Sequence, residues 1–239
     1  MFDNIITFSA DPKYVSLKEC YPEPIKLHIP KWFKKIEHHP DQKTIKGCMP
    51  FLETVTSGYV LKLPLDFHLK HNFLNENGQR ESSLTNIVRP MENVNLNYYS
   101  DSHPPKQLKG SPLIKKNLNF PFYKILNPWR IKTPPGYSCL FTAPFNNSDD
   151  RFSIITGIVH TDKFKPEINF PFTVNGDKYP VLDTILKKNT PYVQVIPFKR
   201  DSWQMQIKAK EENQIFNFTW SSKIFRVYQN KIWKSVTWK

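Results

Sequence analysis

Glycine is scarce in this chain, with 7 among 239 residues. Loops that cradle phosphates need several glycines at fixed spacing. No P-loop, Gly-x-Gly-x-x-Gly or Gly-x-Ser-x-Gly occurs, which all but excludes the nucleotide-fingerprint enzymes and the hydrolases built on a nucleophile elbow. Cysteine is scarcer still. Cys20, Cys48 and Cys139 are odd in number and widely spaced. That argues against a disulfide framework and a Cys-based zinc site, and leaves reduced, structural thiols. No run approaches the ~20 apolar residues of a membrane span. Met1-Phe2-Asp3-Asn4 has no basic flank ahead of an apolar stretch, so no secretory signal is read there. The expectation is a cytoplasmic protein (in the host cytoplasm if the source is viral) with no membrane partner.

Acidic residues are missing from two long stretches. None lies between Asp101 and Asp149, where Lys106, Lys109, Lys115, Lys116, Lys124, Arg130 and Lys132 fall. None follows Glu212, where Lys223, Arg226, Lys231, Lys234 and Lys239 fall. These twelve cations account for nearly all of the net charge of +13. A one-sign field attracts polyanions or acidic surfaces. Tyr123, Trp129, Phe225, Tyr228, Trp233 and Trp238 sit among the charges, an interleaving that suits base stacking beside phosphate contacts. Strand alternation gives the same pattern with the rings inward and the lysines in water. The predicted anion-binding set is Lys106, Lys109, Lys115, Lys116, Lys124, Arg130, Lys132, Lys231 and Lys234, and the partner class is a nucleic acid or an acidic protein surface.

What the chain has in quantity is proline (21) and aromatic residues (14%). Proline cuts a chain into short elements, because it lacks a donor and its predecessor avoids the helical region. Aromatic and β-branched residues suit a pleated, half-buried surface. Strands are read over residues 5–9, 24–29, 59–69, 120–126, 137–142, 152–159, 167–174, 179–182, 192–198 and 203–209, with further candidates at 86–90 and 94–99. Helical turns are read over 30–36 and 48–58, the second bracketed by Pro50 and Gly58. Ile224, Tyr228 and Ile232 recur at helical spacing, giving a helical C-terminal extension from about residue 211. The fold class is mainly β: a jelly-roll or double-stranded β-helix-like sandwich, or a barrel, with a few short helices, in one domain over residues 1–239.

His160-Thr161-Asp162 matches the first two ligands of a non-haem iron facial triad, which sits on a jelly roll. No histidine follows His160, so the third ligand has no source downstream, and a turn between two strands is the plainer reading. His38, His39 and Asp41 form a second grouping, and His68 with His71 a third. On a strand, positions i and i+3 face oppositely, against shared metal ligation. Ser100, Asp101 and His103 crowd together in sequence, but triads are assembled from distant segments by geometry. Pro134, Pro135 and Gly136 restrict the turn 133–138 in a way that suits a pocket rim.

Asn127-Pro128-Trp129-Arg130-Ile131-Lys132-Thr133-Pro134-Pro135-Gly136-Tyr137-Ser138, Gly157-Ile158-Val159-His160-Thr161-Asp162, Ile168-Asn169-Phe170-Pro171-Phe172 and Gln194-Val195-Ile196-Pro197-Phe198-Lys199-Arg200 resemble a family of uncharacterised proteins from tailed marine bacteriophages and bacteria. The resemblance covers most of the chain and implies a viral or bacterial origin, with no activity attached. Residues 157–164 and 193–198 are also similar to the trimeric dUTPase-type β-barrel, but the acidic residue and tyrosine that read the nucleoside there have no counterpart here. The expectation is a non-enzymatic β-domain binding a polyanion or acidic partner, with no cofactor. The alternative is a jelly-roll metal-dependent oxygenase-like enzyme holding iron with His160 and Asp162.

Overall fold

A computed structural model describes residues 4–15, 18–37, 44–87, 100–209, 228 and 232–239. Its strands in chain order are β1 (Thr7–Ser9), β2 (Glu23–Pro24), β3 (Tyr59–Lys62), β4 (Asp66–Leu74), β5 (Arg80–Ile87), β6 (Ser100–His103), β7 (Phe122–Ile125), β8 (Arg130–Lys132), β9 (Tyr137–Thr142), β10 (Phe152–Ile154), β11 (Gly157–Val159), β12 (Phe170–Val174), β13 (Leu182–Leu186) and β14 (Pro191–Lys199). The helices are short: α1 (Pro12–Val15), α2 (Lys31–Lys35), α3 (Met49–Thr56) and α4 (Leu113–Lys116). None among the described residues is long and apolar enough to cross a membrane.

The strands form antiparallel sheets in the orders β11-β9-β14-β3-β2, β10-β12-β7-β6, β13-β4-β5 and β1-β8. The fold is mainly β and sandwich-like, and no barrel closes among the described residues. One core cluster draws on the two largest sheets together: Cys139, Phe141, Val193 and Val195 on one side, Tyr123, Ile125, Phe170 and Phe172 on the other. Phe141 of β9 meets Phe170 of β12 at 5.3 Å between ring centroids, the tilted geometry aromatic pairs prefer.

Several expected strands divide, for identifiable reasons. Residues 59–69 break at Pro64: Leu63 N bonds Thr190 O at 2.9 Å, and the chain then leaves the five-stranded sheet for the β13-β4-β5 sheet. Residues 152–159 form two strands in different sheets. β10 pairs with β12 and β11 with β9, and the corner is fixed by Ile155 N on Pro171 O at 2.7 Å. After Glu23–Pro24, the expected strand 24–29 continues as a 3-10 turn over Ile25–His28. Residues 203–209 form no strand; Trp203, Met205 and Ile207 alternate as strand residues do, but all three are exposed. Arg130–Lys132 was not anticipated as a strand and pairs with β1. The strand at 94–99 and most of the helix predicted from about residue 211 lie outside the described residues. Of that extension, Tyr228 and Ile232 lie in a π-turn closed by Trp233 N on Tyr228 O at 2.7 Å, and residues 233–239 are not helical.

Gln194, fully buried on β14, anchors two segments to this frame. Its Nε2 donates to Thr54 O at 2.9 Å and Ser57 O at 2.8 Å, and its Oε1 accepts from Phe145 N at 3.0 Å. A buried amide with its partners in place carries no desolvation penalty. Here it ties the end of α3 and the loop after β9 to the central sheet.

Candidate functional site

The turn 133–138 and the segment 160–162, separate in sequence, meet beside the end of β14. Arg200 donates from Nη1 to Asp162 Oδ1 at 2.8 Å and from Nη2 to Oδ2. The same Nη1 reaches Tyr137 O and Ser138 Oγ, at 2.6 and 2.9 Å. Gly136 N donates to Asp162 Oδ2 at 2.9 Å, and Arg200 N donates to Gly136 O at 2.8 Å. Below them Thr133 Oγ1 lies 2.7 Å from Thr161 Oγ1, which bonds Cys139 Sγ. The Arg200 fork, then the Gly136 amide, hold the Asp162 carboxyl far below the ordinary carboxylate range. Bidentate arginine–carboxylate pairs are geometrically specific, and this one pins the proline turn to the sheet.

Asp162 is thus fully engaged by the chain itself. Its neighbour His160 is exposed and makes no side-chain hydrogen bond among the described residues. Arg130 stands elsewhere, donating from Nε to Glu167 Oε1 at 2.8 Å. None of the three lines a cavity described below. Among the described residues no group of three His, Cys, Asp or Glu is placed to hold a metal ion. His38, His39 and Asp41 lie outside the described residues.

His68 and His71 face opposite ways on β4, as strand alternation requires. His68 Nε2 lies 2.6 Å from Asp183 Oδ1. His71 is fully buried against Phe120 at 5.3 Å. The Asn72 amide donates to Ser82 Oγ at 3.0 Å, leaving the Ser82 hydroxyl proton for His71 Nδ1 at 3.2 Å. Burial pushes the His71 imidazole down from its ordinary 6.5 to about 4. The unfolded chain therefore takes up a proton that the fold refuses across that window. Stability is fully present above pH 6.5 and is lost as pH falls towards about 4. Urea titrations across that range should show a falling midpoint, and His71→Leu should flatten the fall. An unchanged slope in the variant would show that His71 is not its source.

Of the predicted cations, Lys124 is neutralised by Asp101 at 2.8 Å and Arg130 by Glu167. Lys106, Lys109, Lys116, Lys132 and Lys234 are exposed and make no ion pair among the described residues. Lys115 lies on α4, and Lys231 lies outside the described residues. Three of the unpaired cations are close in sequence: Lys106 on the 3-10 turn Pro105–Leu108, Lys109 just after it, and Lys116 on α4. The turn Pro105–Leu108 packs against α4, so these three lysines share one ledge.

Two cavities flank these features. One, of about 470 Å³, has Thr133, Pro134 and Tyr137 on one wall and Val236, Trp238 and Lys239 on another, so the proline turn does form a rim. Its interior is largely served by the chain itself: Tyr59 Oη donates to Lys239 O at 3.0 Å, and the Tyr59 ring meets Trp238 edge-on at 5.8 Å. The other, of about 310 Å³, opens under the loop 143–150 and is reached by Lys116 at the end of the ledge. Its residues come from β10, β12, β14, α4 and that loop, so no local spacing in the sequence marks it. No protein-family model matches the chain, and no curated protein matches it significantly.

Proposed function

We propose that this chain is a non-enzymatic β-domain that binds a polyanion, the phosphate backbone of a nucleic acid, along the ledge carrying Lys106, Lys109 and Lys116. The observation that carries the reading is the sorting of the cations. Within one acid-free stretch, Lys124 and Arg130 have carboxylate partners, whereas these three lysines are exposed and unpaired. Lysines in water without partners release counterions when a phosphate chain replaces them, and that release drives sequence-independent binding. Lysine is a point charge without arginine's fork, so such contacts hold a backbone and do not read bases. No observation favours the iron-enzyme reading, because the Asp162 carboxylate is held by Arg200 and Gly136.

The test is a fluorescence-anisotropy titration with a single-stranded DNA oligonucleotide over a salt series. Three phosphate contacts give a slope of about −2 in log affinity against log salt. The double variant Lys106→Glu/Lys109→Glu should weaken binding at least about tenfold at low salt and bring the slope to about −1. Binding that ignores salt, or survives the double variant unchanged, removes the proposal. Binding to an acidic protein but not to DNA would replace the phosphate partner.

A further inference from the structure

Lysine contacts to phosphates do not tell a single strand from a duplex. An aromatic ring in water does, because the base faces of a single strand are open, whereas in a duplex they are closed by stacking and costly to extrude. Tyr123 and Trp129, which lie among the acid-free cations in sequence, are buried. Trp203 is 91% exposed, but its ring makes no hydrogen bond or ring contact among the described residues, so nothing holds it as a platform.

Trp32 is both exposed and held. It is 36% exposed, and its Nε1 donates to Asn146 O at 2.9 Å. The indole's one polar group is thereby satisfied, and what the ring shows to water is hydrocarbon. It meets Phe33 and Phe51 in T-shaped geometry, 5.8 and 5.9 Å between centroids, while those two rings stack on each other at 5.4 Å. Neither lies parallel to the indole. Helical spacing on α2 places Lys31, Lys34 and Lys35 on the face opposite the buried Phe33, with Trp32 at its border beside Lys35. These three lysines are exposed and make no ion pair among the described residues. Lys46 closes the end of the helix, donating to Lys34 O and Ile36 O at 3.3 and 3.0 Å.

Asn146 joins this ring to the ledge. It lines the cavity under the loop 143–150, and Lys116 lines the same cavity from α4. The acids that line it are spent. Asp149 has both oxygens on Arg151, at 2.9 and 2.8 Å, and Asp150 is held by Lys178 at 2.7 Å. A path across the loop therefore runs from unpaired lysines, past a neutralised rim, to an exposed indole flanked by lysines.

We infer that Trp32 is a base-stacking platform and that the polyanion is a single-stranded nucleic acid, its phosphates on Lys106, Lys109 and Lys116 and one base against the indole beyond Asn146. The inference rests on the polyanion reading and adds the strandedness of the partner to it. Every base has a π-face, so such a strand is held without sequence preference.

The test is fluorescence anisotropy on the full chain at low salt with three labelled probes of about 16 nucleotides per strand: a thymidine strand, an abasic strand of the same charge and a duplex. The thymidine strand should bind about tenfold tighter than the abasic strand. Trp32→Ala should remove that advantage, weakening the thymidine strand about tenfold and leaving the abasic strand and the duplex unchanged. The salt slope should stay as it was, because stacking releases no counterions. Trp32→Phe, which keeps a ring, should lose about threefold or less. Should Trp32→Ala fail to fold, Trp32→Leu keeps apolar bulk on Phe51 without a ring and is read in the same way. Equal binding of the thymidine and abasic strands overturns the inference and leaves the polyanion reading standing. The inference is also overturned if Trp32→Ala weakens all three probes alike, which would assign the indole a packing role only, or if the loss appears with Trp203→Ala instead. Binding of no probe removes the polyanion reading, and this inference with it.

Discussion

Gly58→Ala is expected to lower the unfolding free energy by about 4 kcal/mol, because two penalties coincide at that residue. Gly58 ends the turn after α3 at φ +83°, a region that residues with a Cβ avoid. The added Cβ would also overlap the main-chain oxygen of Val195, with Val195 C at 3.1 Å and Ile196 Cα at 3.3 Å. Those atoms belong to β14, which is bonded on both sides to β3 and β9, so the central strand cannot retreat without disturbing its neighbours. Gly78→Ala supplies the control. Gly78 has φ +73° with no atom within 4 Å of the added Cβ, so only backbone strain of about 1 kcal/mol is expected. Denaturant unfolding should show the two midpoints well separated at equal slope. Equal losses would mean that the close approach of Gly58 to β14 contributes nothing.

Phe172→Ala should cost a comparable amount, about 4 kcal/mol, for a different reason. Phe172 is fully buried on β12, with its ring 5.2 Å from Phe152 and 6.1 Å from Tyr123. Removing the ring forfeits transfer energy and leaves a void among strands that cannot collapse into it. Phe172→Leu keeps most of the volume and should lose about 1.5 kcal/mol or less. A loss for the alanine variant below about 2 kcal/mol would show that the core around Phe172 repacks freely.

The elements legible in the sequence were those whose signals are local. The strand at Tyr137–Thr142 stood out because aromatic and β-branched residues follow a Pro-Pro-Gly turn. The helix Met49–Thr56 stood out because Pro50 and Gly58 bracket it. Elements were misjudged where one apolar run serves two sheets. Residues 152–159 read as one strand because the run is largely apolar and β-branched, although Gly157 directly follows the corner at Ile155–Thr156 and marks it. The alternating run at 203–209 shows the converse: it has a strand's periodicity but pairs with no strand among the described residues.

The candidate sites divide in the same way. The acid-free cationic tract was visible at once, as was the chemistry of His160 and Asp162. What each charge faces was not visible, since Asp162 meets Arg200 across 38 residues, and Arg130 meets Glu167 across 37.

The sequence by itself determined a mainly β fold with an aromatic core and a strong positive bias, because periodicity, proline content and net charge are sums over the chain. Only the tertiary structure decided which lysines remain unpaired and where Asp162 is spent. Pairing depends on distances of a few ångströms between segments far apart in the chain, and those distances exist only once the sheets have packed.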